Sequence, residues 1–184
     1  RSEDVEALYR QGLDHCRREL GPSDPKTLAF MEDLALLLQS MDKYDEAERL
    51  LRKALEAYAD TLGPRDPDTL TALNNLATLQ QAMGKLKEAE PPLQRVLEVY
   101  QADLGPRHPA TLTAAHNLAT LLQDLGRNKE AEAHYMRALE GREAALGASH
   151  PDTLVSVHDL AVLLRAMGRH EEAEPLHARA LEGS

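Results

Sequence analysis

Apolar residues recur along this chain at spacings of three, four and seven, the mark of one buried stripe on an amphipathic helix. Leu73, Leu76, Ala77 and Met83 form such a stripe, and Met31, Leu34, Ala35 and Met41 form its counterpart upstream. Ala115, Leu118, Ala119 and Leu125, then Val157, Leu160, Ala161 and Met167, repeat it downstream. A second stripe follows each: Ala47, Leu51, Ala54 and Leu55; Ala89, Leu93, Val96 and Leu97; Ala131, Tyr135, Ala138 and Leu139; Ala173, His177, Ala180 and Leu181. The pattern predicts helices in pairs, with alanines at two fixed places that let the axes approach toward the short end of about 8 to 10 Å. Between the partners stand Gly84, Gly126 and Gly168, each followed by Lys or Arg, where glycine can take the left-handed backbone that ends a helix. Asp42 holds that place in the first pair, and aspartate tolerates the conformation better than most residues.

The pairs are joined by a phrase repeated every 42 residues: Leu20-Gly21-Pro22, Leu62-Gly63-Pro64, Leu104-Gly105-Pro106 and Leu146-Gly147-Ala148. Glycine caps the second helix and proline prevents its continuation. The chain then runs through Asp24-Pro25, Asp66-Pro67, His108-Pro109 or His150-Pro151 into Thr-Leu. Aspartate before a first-turn proline is a helix N-cap; histidine should cap more weakly unless a neighbour such as Ser149 takes the role. Counting back by one period, Asp4 to Leu20 corresponds to a second helix without its first, with Val5, Tyr9 and Leu13 in the buried places. The expected organisation is an all-α single array of nine helices: an unpaired helix at 1–20, then pairs at 21–62, 63–104, 105–146 and 147–184. A period of this size means a repeat array in which each unit contacts only its neighbours. Pro91, Pro92 and Pro175 fall early in their helices, where proline is tolerated.

These residues resemble the tetratricopeptide repeat (TPR), in the 42-residue form best known from kinesin light chains. The resemblance spans essentially the whole chain. It rests on Leu-Ala in the first helix (Leu34-Ala35, Leu76-Ala77, Leu118-Ala119, Leu160-Ala161), on the Gly-Lys/Arg turn, and on Glu46-Ala47-Glu48, Glu88-Ala89-Glu90, Glu130-Ala131-Glu132 and Glu172-Ala173-Glu174. Gln80, where an apolar or aromatic residue is usual, and Asp42 depart from the family pattern without threatening the fold. The resemblance implies a right-handed superhelical solenoid whose first helices line a concave, peptide-binding groove. Carried onto this sequence, the lining is Glu32, Asp33, Leu36 and Gln39; Asn74, Asn75, Thr78 and Gln81; His116, Asn117, Thr120 and Gln123; and His158, Asp159, Val162 and Arg165. Asn75 and Asn117 are suited to holding an extended main chain, because an amide both donates and accepts. The function so implied is a non-catalytic scaffold for protein-protein interaction that binds a partner peptide or helix. The alternative is a structural module that self-associates by stacking through exposed solenoid ends.

Charge narrows the partner. The 184 residues carry a formal net charge of -10, with no Trp and one Phe, Phe30. Nucleic acid needs basic and stacking side chains and is excluded as an expected partner. Glu32, Asp33, Asp124 and Asp159 face Arg165 in the lining, which favours a neutral or basic peptide. No apolar run is long enough to span a bilayer, so no membrane role is expected. The lone Cys16 cannot form an intramolecular disulfide and suits a reducing, cytoplasmic setting as a plain helix residue. His116 and His158 occupy equivalent places in adjacent repeats, but no close His/Cys spacing completes a zinc site. No phosphate loop, nucleophile elbow or metal-ligand motif is present, so neither catalysis nor a cofactor is expected. Arg1 and the repeat interrupted at the start read as a piece of something longer.

Overall fold

The computed structural model describes residues 2–182. They form nine helices: α1 Ser2–Glu19, α2 Pro25–Ser40, α3 Tyr44–Thr61, α4 Pro67–Ala82, α5 Leu86–Asp103, α6 Pro109–Asp124, α7 Asn128–Leu146, α8 Pro151–Ala166 and α9 His170–Glu182. Arg1, Gly183 and Ser184, which fall in the first and last expected repeats, lie outside the described residues. Two compact units divide the chain, Arg1–Pro92 and Leu93–Ser184. The dividing point is inside α5, whose helix carries through Pro91 and Pro92, as α9 does through Pro175.

Each helix begins and ends for a local reason. Asp24 and Asp66 have extended backbone, and their carboxylates accept from the N–H of Lys26 and Asp68 at 2.9 Å. His108 and His150 do the same with imidazole Nδ1, accepting from Ala110 and Asp152 N–H at 3.2 Å. The histidine is thus itself the cap, through a longer bond and without help from Ser149, because the ring nitrogen reaches where the carboxylate oxygen would. The first helices end where the left-handed residue falls: Gly84, Gly126 and Gly168 have φ between 74° and 78°, and Asp42 adopts 59°. Tyr44 Oη donates to the Asp42 carboxylate at 2.9 Å, holding that turn from the side.

A buried threonine closes the other corner. Thr27, Thr69 and Thr111 donate to the carbonyls of Gly21, Gly63 and Gly105, each at 2.8 Å, and those glycines have φ near 90°. This gives a physical reason for the Thr-Leu that follows every X-Pro pair. The fourth corner differs. Ala148 replaces proline, α7 runs on to Leu146, and the Thr153 hydroxyl is buried without a partner.

The core is wider than the predicted stripes. Besides Leu34, Leu76, Leu118 and Leu160, the first helices bury Leu28, Leu38, Leu70, Leu79, Leu112, Leu121, Leu122, Leu163 and Leu164. They do so because a first helix in the interior of an array is covered on more than one side. In the first unit α2 packs on α1 and α3, and α3 on α4; in the second α7 packs on α6 and α8, and α8 on α9. Met41, Leu55, Leu73, Met83, Leu125 and Met167, expected in the stripes, are half-buried at their margins. Gln80 occupies the place of Leu38, Leu122 and Leu164 and is buried with its amide oxygen unpartnered. Val5 corrects the expectation at the N-terminal helix. It is 40% exposed where its equivalents Ala47 and Ala131 are fully buried, because no described helix covers that side of α1.

Ion pairs stitch successive second helices and turns together at a fixed offset. Glu6 accepts from Lys43, Glu48 from Lys85, both at 2.7 Å, and Glu132 from Arg169 at 2.6 Å, each 37 residues apart. Glu48 and Glu132, each the last Glu of a Glu-Ala-Glu, and Glu6 at the equivalent place of α1, thus meet the cation that follows the next left-handed turn. The Lys85 ammonium, with Arg52 beside it, holds the Glu48 carboxyl below the usual carboxylate range against the opposing effect of burial. Cys16 is buried as an ordinary helix residue.

Two contrasts test this account by chemical denaturation. Thr111→Val should cost about 1 to 3 kcal/mol, since it takes the hydroxyl donor from the Gly105 and Tyr100 carbonyls and leaves Gly105 only the longer 3.4 Å bond from His108 N–H, whereas Thr153→Val should cost nothing or stabilise. Gln80→Leu should stabilise by about 1 to 3 kcal/mol by removing an unpaired buried amide oxygen.

Candidate functional site

The polar face in the first unit is built on α2 and α4, with α3 beneath it. Glu32 is half-buried and accepts from Asn75 Nδ2 at 3.2 Å and from Tyr58 Oη at 3.4 Å. Burial pushes the Glu32 carboxyl above its ordinary value of 4.5, against the pull of those two donors. Burial, reinforced by the Glu32 charge, pushes the Tyr58 phenol up to about 12. Asp33, Leu36 and Thr78 are exposed, Leu36 by 50%, while Gln39, Asn74 and Gln81 are half-buried. Asn75, expected to offer its whole amide to a ligand, already spends a donor on Glu32.

In the second unit the corresponding face lies on α6 and α8, over α7. His116 Nε2 is 3.1 Å from Asp159 Oδ2, the same sequence offset as Glu32 and Asn75, and its ring meets Tyr135 edge-on at 5.2 Å. Tyr135 Oη lies 3.0 Å from Thr120 Oγ1 and donates to Gln123 Oε1 at 3.2 Å. Burial raises the Tyr135 phenol. Asn117 is half-buried. His158, Val162 and Arg165 are exposed, and His158 meets His177 of α9 edge-on at 5.9 Å. His116 and His158 thus each find an aromatic partner on the following second helix. Among the described residues no group of three or more His, Cys, Asp or Glu side chains is placed to hold a metal.

The predicted residues therefore gather on the first helices of each unit, and neighbouring helices brace one another through them. Sequence reasoning missed the two tyrosines underneath. Tyr58 falls outside the predicted stripe, and that pattern counts Tyr135 as core. The available signal was an aromatic hydroxyl at a second-helix position that other repeats fill with Leu, as Tyr135 does opposite Leu51 and Leu93.

The tetratricopeptide repeat pattern matches residues 2–60, 28–102, 68–144 and 110–184. The chain belongs to the tetratricopeptide repeat family. Its helices are those of an all-α repeat solenoid, generally a non-catalytic scaffold for protein-protein interaction. Among solved structures, a Podosopora anserina protein of kinesin-light-chain type, with nearly identical TPR-like repeats, is 28% identical with a TM-score of 0.83. The match covers 99% of this TPR chain and 86% of that one. BtubC (BKLC) from P. vanneervenii is 24% identical with a TM-score of 0.84, covering 99% of this chain and 72% of that one. A Rap protein complexed with Competence and Sporulation Factor is 16% identical with a TM-score of 0.74, covering 98% and 50%. The last two bear on the fold alone. No curated protein matches the sequence. No helix among the described residues of this TPR chain is long and apolar enough to cross a membrane.

Glu32 makes the face sensitive to acid in a definite direction. Its folded-state pKa is raised, so the folded protein binds the proton more readily, and stability is lost as pH rises from 4.5 through the folded value. Glu32→Gln should therefore stabilise the chain at neutral pH. Thermal melts across pH should show that advantage shrinking below 4.5.

Proposed function

We propose that this TPR chain binds an extended or helical segment of a partner protein on the polar faces of its first helices, without chemistry of its own. The observation that carries the reading is the recurrence, in both units, of a polar face on paired first helices that is internally braced yet leaves apolar side chains uncovered. Leu36 and Val162, at 50% and 38% exposure, stand among donors and acceptors and suit side-chain contact. Asn74, Asn75, Asn117, His116 and His158 would fix the ligand. Bracing by Glu32 and by Asp159 supports this, because side chains already held in place lose less freedom on binding. The Rap protein, of the same fold, is found complexed with Competence and Sporulation Factor, which agrees with use of the scaffold for ligand capture.

The partner segment is neutral or basic. Asp33 and Asp124 are exposed, Glu32 and Asp159 half-buried, and Arg165 is the one cation predicted in the lining. Such a field speeds encounter with cationic segments and repels acidic ones. A lone, buried cysteine fits a reducing, cytoplasmic compartment.

A display library of random dodecapeptides tests the reading. Selection on the parent chain should enrich neutral and basic sequences. Their affinity should fall at least tenfold in the Leu36→Asp, Val162→Asp double variant, with melting temperature unchanged, since both residues are already exposed. Enrichment of acidic peptides would refute the charge preference, and binders indifferent to the double variant would place recognition elsewhere.

A further inference from the structure

In the first unit an open trough of about 480 Å3 lies between α1 and α3, lined by Arg17, Pro22, Met31, Lys53, Glu56 and Asp60. A second hollow of about 260 Å3 continues it past Arg17 and Lys53 toward Arg10 and Leu50. Both walls are helices of this unit, and buried Met31 of α2 belongs to the floor. Arg10 is spent on Glu6 and Glu46. Arg17, half-buried, and Lys53, exposed, are not spent: among the described residues neither makes a hydrogen bond or an ion pair.

The other repeats show what this place ordinarily holds. A cation stands at the Lys53 position throughout, as Arg95, Arg137 and Arg179, whereas the Arg17 position holds Ala59, Gln101 and Glu143. In the second unit Arg179 donates to Glu143 and to the carbonyl of Ala148, the counterpart of Pro22. A carboxylate on one second helix thus meets the cation of the next. In the first unit that carboxylate is exchanged for a second cation, so two like charges border one hollow. Such a pair favours a carboxylate, which each cation can hold by a charge-assisted hydrogen bond. Glu56 and Asp60 follow Lys53 at about 5 and 10 Å along the α3 axis, and they make the other end of the trough acidic.

We infer that this trough binds a net-neutral segment of a partner protein, seating an acidic side chain between Arg17 and Lys53 and a basic one beside Glu56 and Asp60. The acid supplies from outside the carboxylate that Glu143 supplies to Arg179 from within. The two charged ends are separated by the reach of about two or three extended residues. Pro22, Met31 and Ala57 give the stretch between them an apolar wall. The second hollow lets the chain run on past Lys53, room that a free amino acid would not use. Acids at one end reject a polyacidic segment and cations at the other a polybasic one. The trough shares no residue with the polar face of α2 and α4.

The test is a dodecapeptide display selection on the 184-residue chain carrying Leu36→Asp and Val162→Asp, which disables the apolar contacts of the polar face and so separates this inference from the function proposed above. Enriched peptides should pair an acidic with a basic residue about two or three positions apart. Replacing the acid by its amide should weaken binding about tenfold or more, and so should Arg17→Glu, which hands Lys53 an internal carboxylate. The two changes together should cost no more than either alone, because they break the same contact. The Arg17→Glu melting temperature should not fall, since Glu143 stands at the same place beside Arg179. An enriched set without the charge pair overturns the inference. Binding that survives Arg17→Glu does so as well, and so does a selection that returns no binders.

Discussion

One hydrogen bond, from a buried threonine to the carbonyl of a left-handed glycine six residues upstream, sets the corner on which each of the first three repeats is built. The end of a helix leaves carbonyls without intrahelical donors, and a buried one left bare costs about 1 to 3 kcal/mol. Thr27, Thr69 and Thr111 supply the donor from the first turn of the following helix. Proline at the first helical position and Asp or His at the cap fix the remaining freedom of that turn. With both sides of the corner held, the rotation of the first helix about its own axis is set. That rotation decides which residues enter the core and which form the polar face. At the fourth corner arginines take over part of the work: Arg179 donates to the Ala148 carbonyl and Arg142 to that of Asp152.

Electrostatics reinforce the same nearest-neighbour logic. Glu6, Glu48 and Glu132 are nearly or largely buried as side chains, at 10%, 10% and 19% exposure, yet each meets a cation from the turn 37 residues on. A carboxylate so placed is costly alone and acceptable when paired. The pair forms only if the next turn arrives in register. It therefore discriminates against slipped packing of one repeat on another more than it adds net stability.

Helix pairing was legible in the sequence because its signals are local: spacing of apolar residues, glycine at the turn, aspartate before proline. Asp42 was read correctly for the same reason, as its φ of 59° follows from chemistry at one position. What stayed hidden depends on partners distant in sequence. The threonine corner spans two helices, the 37-residue ion pairs span two repeats, and neither leaves a mark in a single helix period. Val5 misled because its repeat position predicts burial while the helix that would bury it is absent from the described residues. Tyr135 misled in the opposite way, since a buried aromatic counts as core until its hydroxyl is seen to reach Gln123, and Tyr58, outside the predicted stripe, gave no sign that its hydroxyl reaches Glu32. The polar face itself was placed by resemblance and not by periodicity, because solvent-facing positions carry no packing signal.

That face has a property that follows from its burial. Glu32 is held where its charge is disfavoured, by desolvation that outweighs the donors Asn75 and Tyr58. A cationic side chain arriving from a ligand would stabilise the charged form and draw the pKa back down, so binding and release of a proton are linked. A neutral ligand makes no such demand, and an acidic one raises the pKa further. The half-buried carboxylate therefore does more than tint the surface negative. It would grade the proposed preference for basic segments, which would be strongest for a segment that placed a positive charge beside α2 and α4, where the Asn75 amide and the Tyr58 hydroxyl already hold the acceptor in position.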